Sequence, residues 1–171
     1  MKYPESYLQS KDIDWFFQIN NSYIHVASAG GSLPASINNR EKLRNIQHQV
    51  FNLPYLYSED EVAVNMMFIQ QFLDLNINYN PEQYFQYLQS FMNFARKGFI
   101  SLDRTYVNDP FSNYYHIVCA PKKNRTELHL DYIPNINPDG FPKEIFDYEV
   151  LNNNIINNNN FNDIQLLNFI K

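Results

Sequence analysis

The chain has few of the residues that crosslink small extracellular domains or build zinc centres. Its 171 residues include one cysteine, Cys119, so no intramolecular disulfide can form and no Cys-x-x-Cys zinc motif is present. No apolar signal region follows Met1. Together these absences predict a protein of the reducing cytoplasm, with no metal or other cofactor.

Long apolar stretches and an excess of positive charge are also lacking. The densest apolar run, residues 66–75, is interrupted by three polar residues, whereas a membrane span needs about 18 consecutive apolar ones. The 18 acidic residues outnumber the 13 basic ones and give a net charge of −5. This balance argues against general binding to nucleic acid or anionic lipid, so we expect a soluble protein without a membrane partner.

Apolar and aromatic residues are plentiful enough for one packed domain. Hydrophobic residues make up 44% of the chain and aromatic residues 16%, a composition unlike that of disordered segments. A chain of this length typically buries about 70% of the surface that it exposes when unfolded. We expect a single α+β domain over residues 1–150, then an Asn-rich connector and a short C-terminal helix in residues 151–171.

Two aromatic and β-branched segments near the N-terminus predict a β-hairpin over residues 15–28. The Asn-Asn-Ser sequence between them suits a tight turn, because Asn tolerates positive φ. A short helix beginning after Asp12 is the alternative, since apolar residues there also recur at helical spacing.

Three amphipathic segments between residues 39 and 97 predict helices. The first carries apolar residues three and four positions apart. The second follows a capping box formed by Ser58 and Glu61, and is apolar enough to be buried. The third begins with an Asn-Pro pair and ends at Gly98.

Three alternating segments, residues 99–105, 114–120 and 127–133, predict an antiparallel meander. Pairing Thr105 with Tyr114, and Ala120 with Glu127, sorts the polar side chains onto one face and the apolar ones onto the other. A slip of one residue would spoil this sorting. We therefore predict an antiparallel sheet, built from the meander 99–133 and the hairpin 15–28, whose apolar face packs on the three helices.

The polar face of the meander holds the strongest candidate catalytic site. On this register His116 lies between Asp103 and Asp131, with opposed Cβ atoms about 5 Å apart and His129 on the diagonal. A carboxylate beside an imidazole raises its pKa and fixes its tautomer, as acid-base catalysis or metal ligation requires. The same parity turns Cys119 toward the apolar face, which argues against a nucleophilic thiol. A solvated sheet face with ordinary cross-strand pairs is the simpler alternative.

Two further features are candidates for binding an anion or nucleic acid. The first is a loop containing Gly30 and Gly31, which lacks the spacing of a phosphate-binding P-loop. The second is a basic end of the sheet, where the register gathers Arg96, Lys97, Lys122, Lys123 and Arg125. A plain turn and ordinary solvated cations are the alternatives.

These features favour a small non-enzymatic binding protein, with another protein as its partner, that uses the polar sheet face or the basic end. One alternative is a hydrolase-like or metal-dependent enzyme centred on His116. The other is a protein that binds nucleic acid through the basic end of the hairpin 99–120.

Overall fold

The computed structural model contains one five-stranded sheet with helical segments on both of its faces. It describes residues 1–19, 22–66, 69–70, 73–74, 78–109 and 115–122. The strands are β1 (Asp14–Ile19), β2 (Ser22–Ala27), β3 (Val62–Val64), β4 (Phe99–Arg104) and β5 (Tyr115–Pro121). The α-helices are α1 (Glu5–Gln9), α2 (Arg40–Phe51) and α3 (Pro81–Arg96). Within this described part, no helix has the length and apolar character needed to cross a membrane.

The strand order is β1-β2-β4-β5-β3, and the sheet is mixed. β1 and β2 form the predicted antiparallel hairpin, with Asp14 opposite Ala27. β2 and β4 are parallel, with Tyr23 opposite Phe99, so the prediction of a purely antiparallel sheet is wrong. A parallel pair needs a long crossover, and the chain between these strands supplies one that contains α2, β3 and α3.

The pairing of β4 with β5 follows the predicted register at one end and departs from it at the other. Asp103 lies opposite His116, as predicted. A β-bulge near Ser101 then shifts the register, so that Cys119 lies opposite Ser101 instead of Ile100. The bulge turns the buried Cys119 thiol toward the face that carries Ser101, which corrects its predicted orientation.

β3 occupies the edge of β5 that was predicted for the third strand of the meander. Ala63 pairs with Ala120, and Asn65 extends this edge by donating its side-chain amide to Ile117 O at 2.8 Å. β3 therefore occupies the position opposite Ala120 at which Glu127 was predicted. Residues 127–133 themselves lie outside the described residues.

The predicted second helix begins instead as a strand. The capping box of Ser58 and Glu61 is formed, but it opens a short 3-10 turn, Glu59–Glu61, which leads into β3. The β-branched residues of β3 favour the extended conformation. Helical hydrogen bonding starts only afterwards, where Ile69 N donates to Asn65 O at 3.2 Å.

The helices are distributed over both faces of the sheet, whereas all three were predicted on the apolar face. The apolar face packs on α1, on the loop before α2 and on Leu43, rather than on three helices. α3 covers the polar face, where Phe91 and Phe94 both lie against the ring of His25. The aromatic stripe of α3 needs a buried surface, and the bulged, partly apolar face of β4 and β5 provides it.

Candidate functional site

Tyr87 of α3 and three residues beneath the helix form a continuous series of hydrogen bonds, here named the polar chain: Asp103, Tyr87, His116 and Thr105. The Tyr87 hydroxyl lies 2.8 Å from Asp103 Oδ2 and 3.1 Å from His116 Nε2. His116 Nδ1 lies 3.1 Å from Thr105 Oγ1. Asp103 Oδ1 accepts the backbone N–H of Arg104 at 2.8 Å. The cross-strand neighbours Asp103 and His116 are thus joined through a helix side chain.

Sequence reasoning missed Tyr87, although its position contained a signal. Tyr87 lies three residues after Tyr84 and four before Phe91, so it belongs beside the buried stripe of α3. Its ring centre is 5.2 Å from that of Phe91. A tyrosine at such a position usually finds a hydrogen-bond partner when it is buried, and here the partners are on the sheet.

Burial shifts the pKa values of the imidazole and the carboxyl group of the polar chain in opposite directions. His116 is fully buried, and this lowers its pKa to about 3, so the imidazole is neutral near pH 7. Burial raises the pKa of Asp103 to about 7, although hydrogen bonds from Tyr87 and Arg104 favour the ionised form. Burial also raises the pKa of Tyr87, so its hydroxyl stays protonated. Asp103, rather than His116, is therefore the group that exchanges a proton near neutral pH.

A second buried histidine, His25, connects three strands on the same face. Its Nε2 lies 2.9 Å from Asp14 Oδ1, and its Nδ1 lies 2.7 Å from Ser101 Oγ. Asp, His and Ser in hydrogen-bonded order resemble a hydrolytic triad, with the two ring nitrogens exchanged. Ser101 is fully buried, however, and the His25 ring centre lies 3.9 Å from that of Phe94. The arrangement therefore links β1, β2 and β4 and presents no exposed hydroxyl to a substrate.

Within the described residues, neither a reactive thiol nor a metal centre accompanies the polar chain. Cys119 is fully buried, which raises the pKa of its thiol and keeps it protonated. Within the described residues, no group of three or more His, Cys, Asp or Glu side chains could hold a metal ion. Four predicted site residues lie outside the described part of the chain: His129, Asp131, Lys123 and Arg125.

Lys97, one of the predicted basic residues, completes the C-terminal end of α2. Its Nζ donates to Val50 O at 3.1 Å and to Phe51 O at 2.9 Å. Val50 O also accepts the backbone N–H of Leu53 at 3.2 Å, and the ammonium group adds a charged donor to these last carbonyl groups of α2. Desolvation of the ammonium lowers the pKa of Lys97.

Arg96 and Lys122 also bond within the protein. Arg96 donates its Nε–H to Tyr57 O at 3.2 Å, and its Nη1 lies 3.5 Å from Glu59 Oε1. Lys122 donates to Asp60 O at 2.7 Å. The described cations of the predicted basic end are therefore held by local contacts, with acidic side chains beside them.

The Gly30-Gly31 loop packs closely on a buried arginine. Gly30 has φ +77°, and a Cβ atom added to Gly31 would lie 2.9 Å from Ser28 O and 3.1 Å from the Arg104 side chain. The backbone N–H of Gly30 donates to Lys11 O, and that of Gly31 donates to Ser28 O. Both amides already have acceptors in the protein, so this geometry gives no support to the predicted anion site.

Exposed aromatic rings adjoin the cations where α2 and α3 end. Phe51 is 59% exposed and Tyr55 is 50% exposed. Lys97 Nζ lies 5.9 Å from the ring centre of Phe51 and 5.8 Å from that of Tyr55. Arg96 Cζ lies 4.0 Å from the Tyr55 ring centre. We name Phe51, Tyr55, Arg96 and Lys97 the aromatic patch.

Sequence reasoning found the two cations of the aromatic patch and missed its two rings. Phe51 ends α2 and lies off the buried stripe that includes Ile46 and Val50, which was a usable signal of exposure. Tyr55 follows a proline in an irregular segment, where periodicity predicts nothing. Comparison of the chain with protein-family models, with curated proteins and with solved structures found no match.

Proposed function

We propose that this chain is a non-enzymatic protein-binding module that contacts its partner through the aromatic patch. The observation that carries the proposal is the proximity of two half-exposed aromatic rings to the partly exposed Arg96 and to the buried Lys97. Tyrosine and arginine are enriched among the residues that dominate the free energy of protein association.

The patch is already ordered before any partner arrives. Lys97 is fixed by two carbonyl groups of α2, and Arg96 lies over the Tyr55 ring. Tyr55 also donates its hydroxyl to Asn93 Oδ1 at 3.1 Å. Binding to such a surface loses little side-chain entropy, which favours affinity.

The chemistry of the patch suits a protein segment that carries an apolar side chain beside a carboxylate. The rings of Phe51 and Tyr55 offer apolar area to the partner's apolar side chain. The partner's carboxylate can replace Glu59, whose side chain is 75% exposed and lies 3.5 Å from the Arg96 guanidinium. An exposed ion pair of this kind contributes little free energy, so a partner's carboxylate can displace Glu59 at small cost.

An enzyme centred on His116 receives less support from the same geometry. A general acid or base must come within hydrogen-bonding reach of its substrate. The His116 ring is fully buried, and both of its nitrogens already lie 3.1 Å from protein hydroxyl groups. These contacts favour a role for His116 within the fold.

Binding of nucleic acid is likewise less favoured. The acidic turn Glu59–Glu61 lies beside Arg96 and Lys122, and its charge opposes the approach of a phosphate backbone. The aromatic rings alone do not overcome this, because binding to single strands combines stacking with a positively charged groove.

The proposal can be tested by selecting short random peptides, displayed on phage, against the immobilised full-length chain. We expect the enriched peptides to combine Asp or Glu with Leu, Phe or Trp. Synthetic versions should bind at least about tenfold more weakly to the Phe51→Ser and Arg96→Gln variants, as for central interface residues.

Phe85→Ser is the matched control, because Phe85 is 57% exposed on α3 and lies outside the patch. Its affinity for the selected peptides should equal that of the unmodified chain. Equal losses in Phe51→Ser and Phe85→Ser would contradict the proposal, as would a selection that enriches no acidic-apolar peptide.

A further inference from the structure

The polar chain has a property that a single hydrogen bond lacks. Three hydrogen bonds connect its four members in series, from Asp103 through Tyr87 and His116 to Thr105. A hydroxyl group and a neutral imidazole each donate and accept, so each can pass on the direction of a hydrogen bond. The protonation state of Asp103 at one end therefore determines which atom donates in every bond.

When Asp103 is ionised, its carboxylate accepts only. The Tyr87 hydroxyl then donates to Asp103 Oδ2, and its oxygen accepts from Nε2–H of His116. Nδ1 of His116 carries no proton and accepts from the Thr105 hydroxyl. In this arrangement His116 is the Nε2–H tautomer.

When Asp103 is protonated, the direction reverses. Oδ1 already accepts the Arg104 backbone N–H, so the new proton resides on Oδ2, which faces Tyr87. Asp103 then donates to Tyr87, Tyr87 donates to Nε2 of His116, and Nδ1–H of His116 donates to Thr105. All three bonds survive, and His116 is now the Nδ1–H tautomer.

We propose that the polar chain is a proton-responsive switch, in which uptake of one proton reverses its three hydrogen bonds and changes the tautomer of His116. The ionised form holds three protons in the chain, on Tyr87, His116 and Thr105, and the protonated form holds four. When the chain takes up a proton, each of these three protons moves to the neighbouring residue on the side of Asp103. One proton from water then restores the Thr105 hydroxyl. The imidazole is neutral in both forms.

The surroundings of the switch place its midpoint near neutral pH. Desolvation of the carboxyl raises the pKa of Asp103 to about 7, and the negative charge of Asp12 acts in the same direction. Among the described residues, Cys119 also interacts electrostatically with Tyr87 and Tyr115 with Asp103, and Arg104 donates its backbone N–H to Asp103. Ala27 of β2, which lies opposite Asp103, brings no charge.

The test is nitrogen-15 NMR of the histidine side chains in the full-length chain, followed through a pH titration. A protonated and an unprotonated ring nitrogen have well-separated chemical shifts, so the tautomer is read directly. We expect the two nitrogens of His116 to exchange roles around pH 7, in step with the carboxyl carbon of Asp103. A tautomer that stays constant while Asp103 titrates would overturn the proposal, and so would an imidazole that becomes charged at this midpoint.

Two variants separate the switch from a merely structural role. Tyr87→Phe keeps the ring but removes the hydroxyl that joins Asp103 to His116, so the tautomer should no longer follow Asp103. Asp103→Asn presents an amide that donates at every pH, so His116 should remain the Nδ1–H tautomer throughout. An Nε2–H tautomer in Asp103→Asn would overturn the proposal.

Tyr84→Phe is the matched control for Tyr87→Phe. Tyr84 lies on the same helix and is 3% exposed, but none of the three bonds involves it. The switch should persist in this variant with its midpoint unchanged. The resonances of His25, which bonds to Asp14 and Ser101, report in every variant whether the sheet is intact.

Discussion

The middle of α3 and its C-terminal end use polar side chains in opposite ways. At the middle, Tyr87 turns toward the sheet and bonds to the partly buried Asp103 and the fully buried His116. At the end, Arg96 lies over the half-exposed ring of Tyr55. His116, which resembles a catalytic group, is thus fully buried, whereas the rings of Phe51 and Tyr55 beside Arg96 form the accessible feature. The comparison predicts that substitutions in the polar chain alter stability, and that substitutions in the aromatic patch alter binding.

The largest expected effect is on stability, from His116→Ala. The change leaves a cavity under α3 and removes a hydrogen-bond partner from both Tyr87 and Thr105. We expect a loss of about 2 to 4 kcal/mol in the free energy of unfolding, measured with urea. The exposed His48 is the matched control, and His48→Ala should cost less than about 0.5 kcal/mol. Similar losses in the two variants would show that the hydrogen bonds of the polar chain add nothing to the free energy of unfolding.

The next effect is a dependence of stability on pH that appears only when Asp103 is replaced by an uncharged residue. The lowered pKa of His116 stabilises the folded chain above about pH 6.5, and this stability is lost as the pH falls toward 3. The raised pKa of Asp103 acts oppositely: its contribution is complete below about pH 4 and is lost as the pH rises through about 7. Between about pH 4 and 6.5 the two contributions offset each other.

Asp103→Asn removes one of these opposing contributions. Its free energy of unfolding should fall by up to about 1.4 kcal/mol per pH unit below pH 6.5, beyond any change in the unmodified chain. Urea unfolding at several pH values measures both slopes. Parallel slopes for the two proteins would mean that Asp103 and His116 do not titrate as a pair.

A smaller effect separates the patch from the core. Phe51→Ser should lower the free energy of unfolding by less than about 1 kcal/mol, because the ring is mostly exposed. The same substitution should reduce affinity for the selected peptides by about tenfold or more. A large loss of stability would show that Phe51 acts as a core residue. The contrast between a stabilising polar chain and a binding aromatic patch would then fail.

The smallest effect is a gain. Glu59→Gln removes the carboxylate that competes for Arg96, so the selected acidic peptides should bind up to about threefold more tightly. Asp60→Gln is the matched control. It removes a neighbouring carboxylate but keeps the backbone carbonyl that accepts from Lys122. Isothermal titration calorimetry at low salt measures both affinities. An equal gain in the two variants would indicate a general charge effect.

The sequence predicted local structure well wherever pattern and turn chemistry agreed. The hairpin near the N-terminus, α2, α3 and the opposition of Asp103 to His116 all follow from alternation, capping and helical spacing. The bulge did not, because Val118 and Cys119 are both compact apolar residues, and either fits a buried face. Local sequence patterns also did not predict the order of the strands, since the neighbours β2 and β4 are far apart in sequence.

The candidate site was predicted in part for a similar reason. Strand alternation placed Asp103 and His116 together, but it says nothing about which helix covers them. Tyr87 enters the polar chain from α3, and the contact exists only after α3 packs on the sheet. The burial that makes His116 neutral is likewise a product of tertiary packing.

We propose that this chain binds a protein partner through the aromatic patch and that the buried His25 and His116 serve the fold. Amide chemical-shift changes in the nitrogen-15 spectrum, mapped as a selected peptide is added, test both parts of this proposal. We predict that the largest changes fall at residues 50–57 and 93–97, around the four residues of the patch. Changes centred on residues 101–105 and 115–118, along β4 and β5, would contradict it.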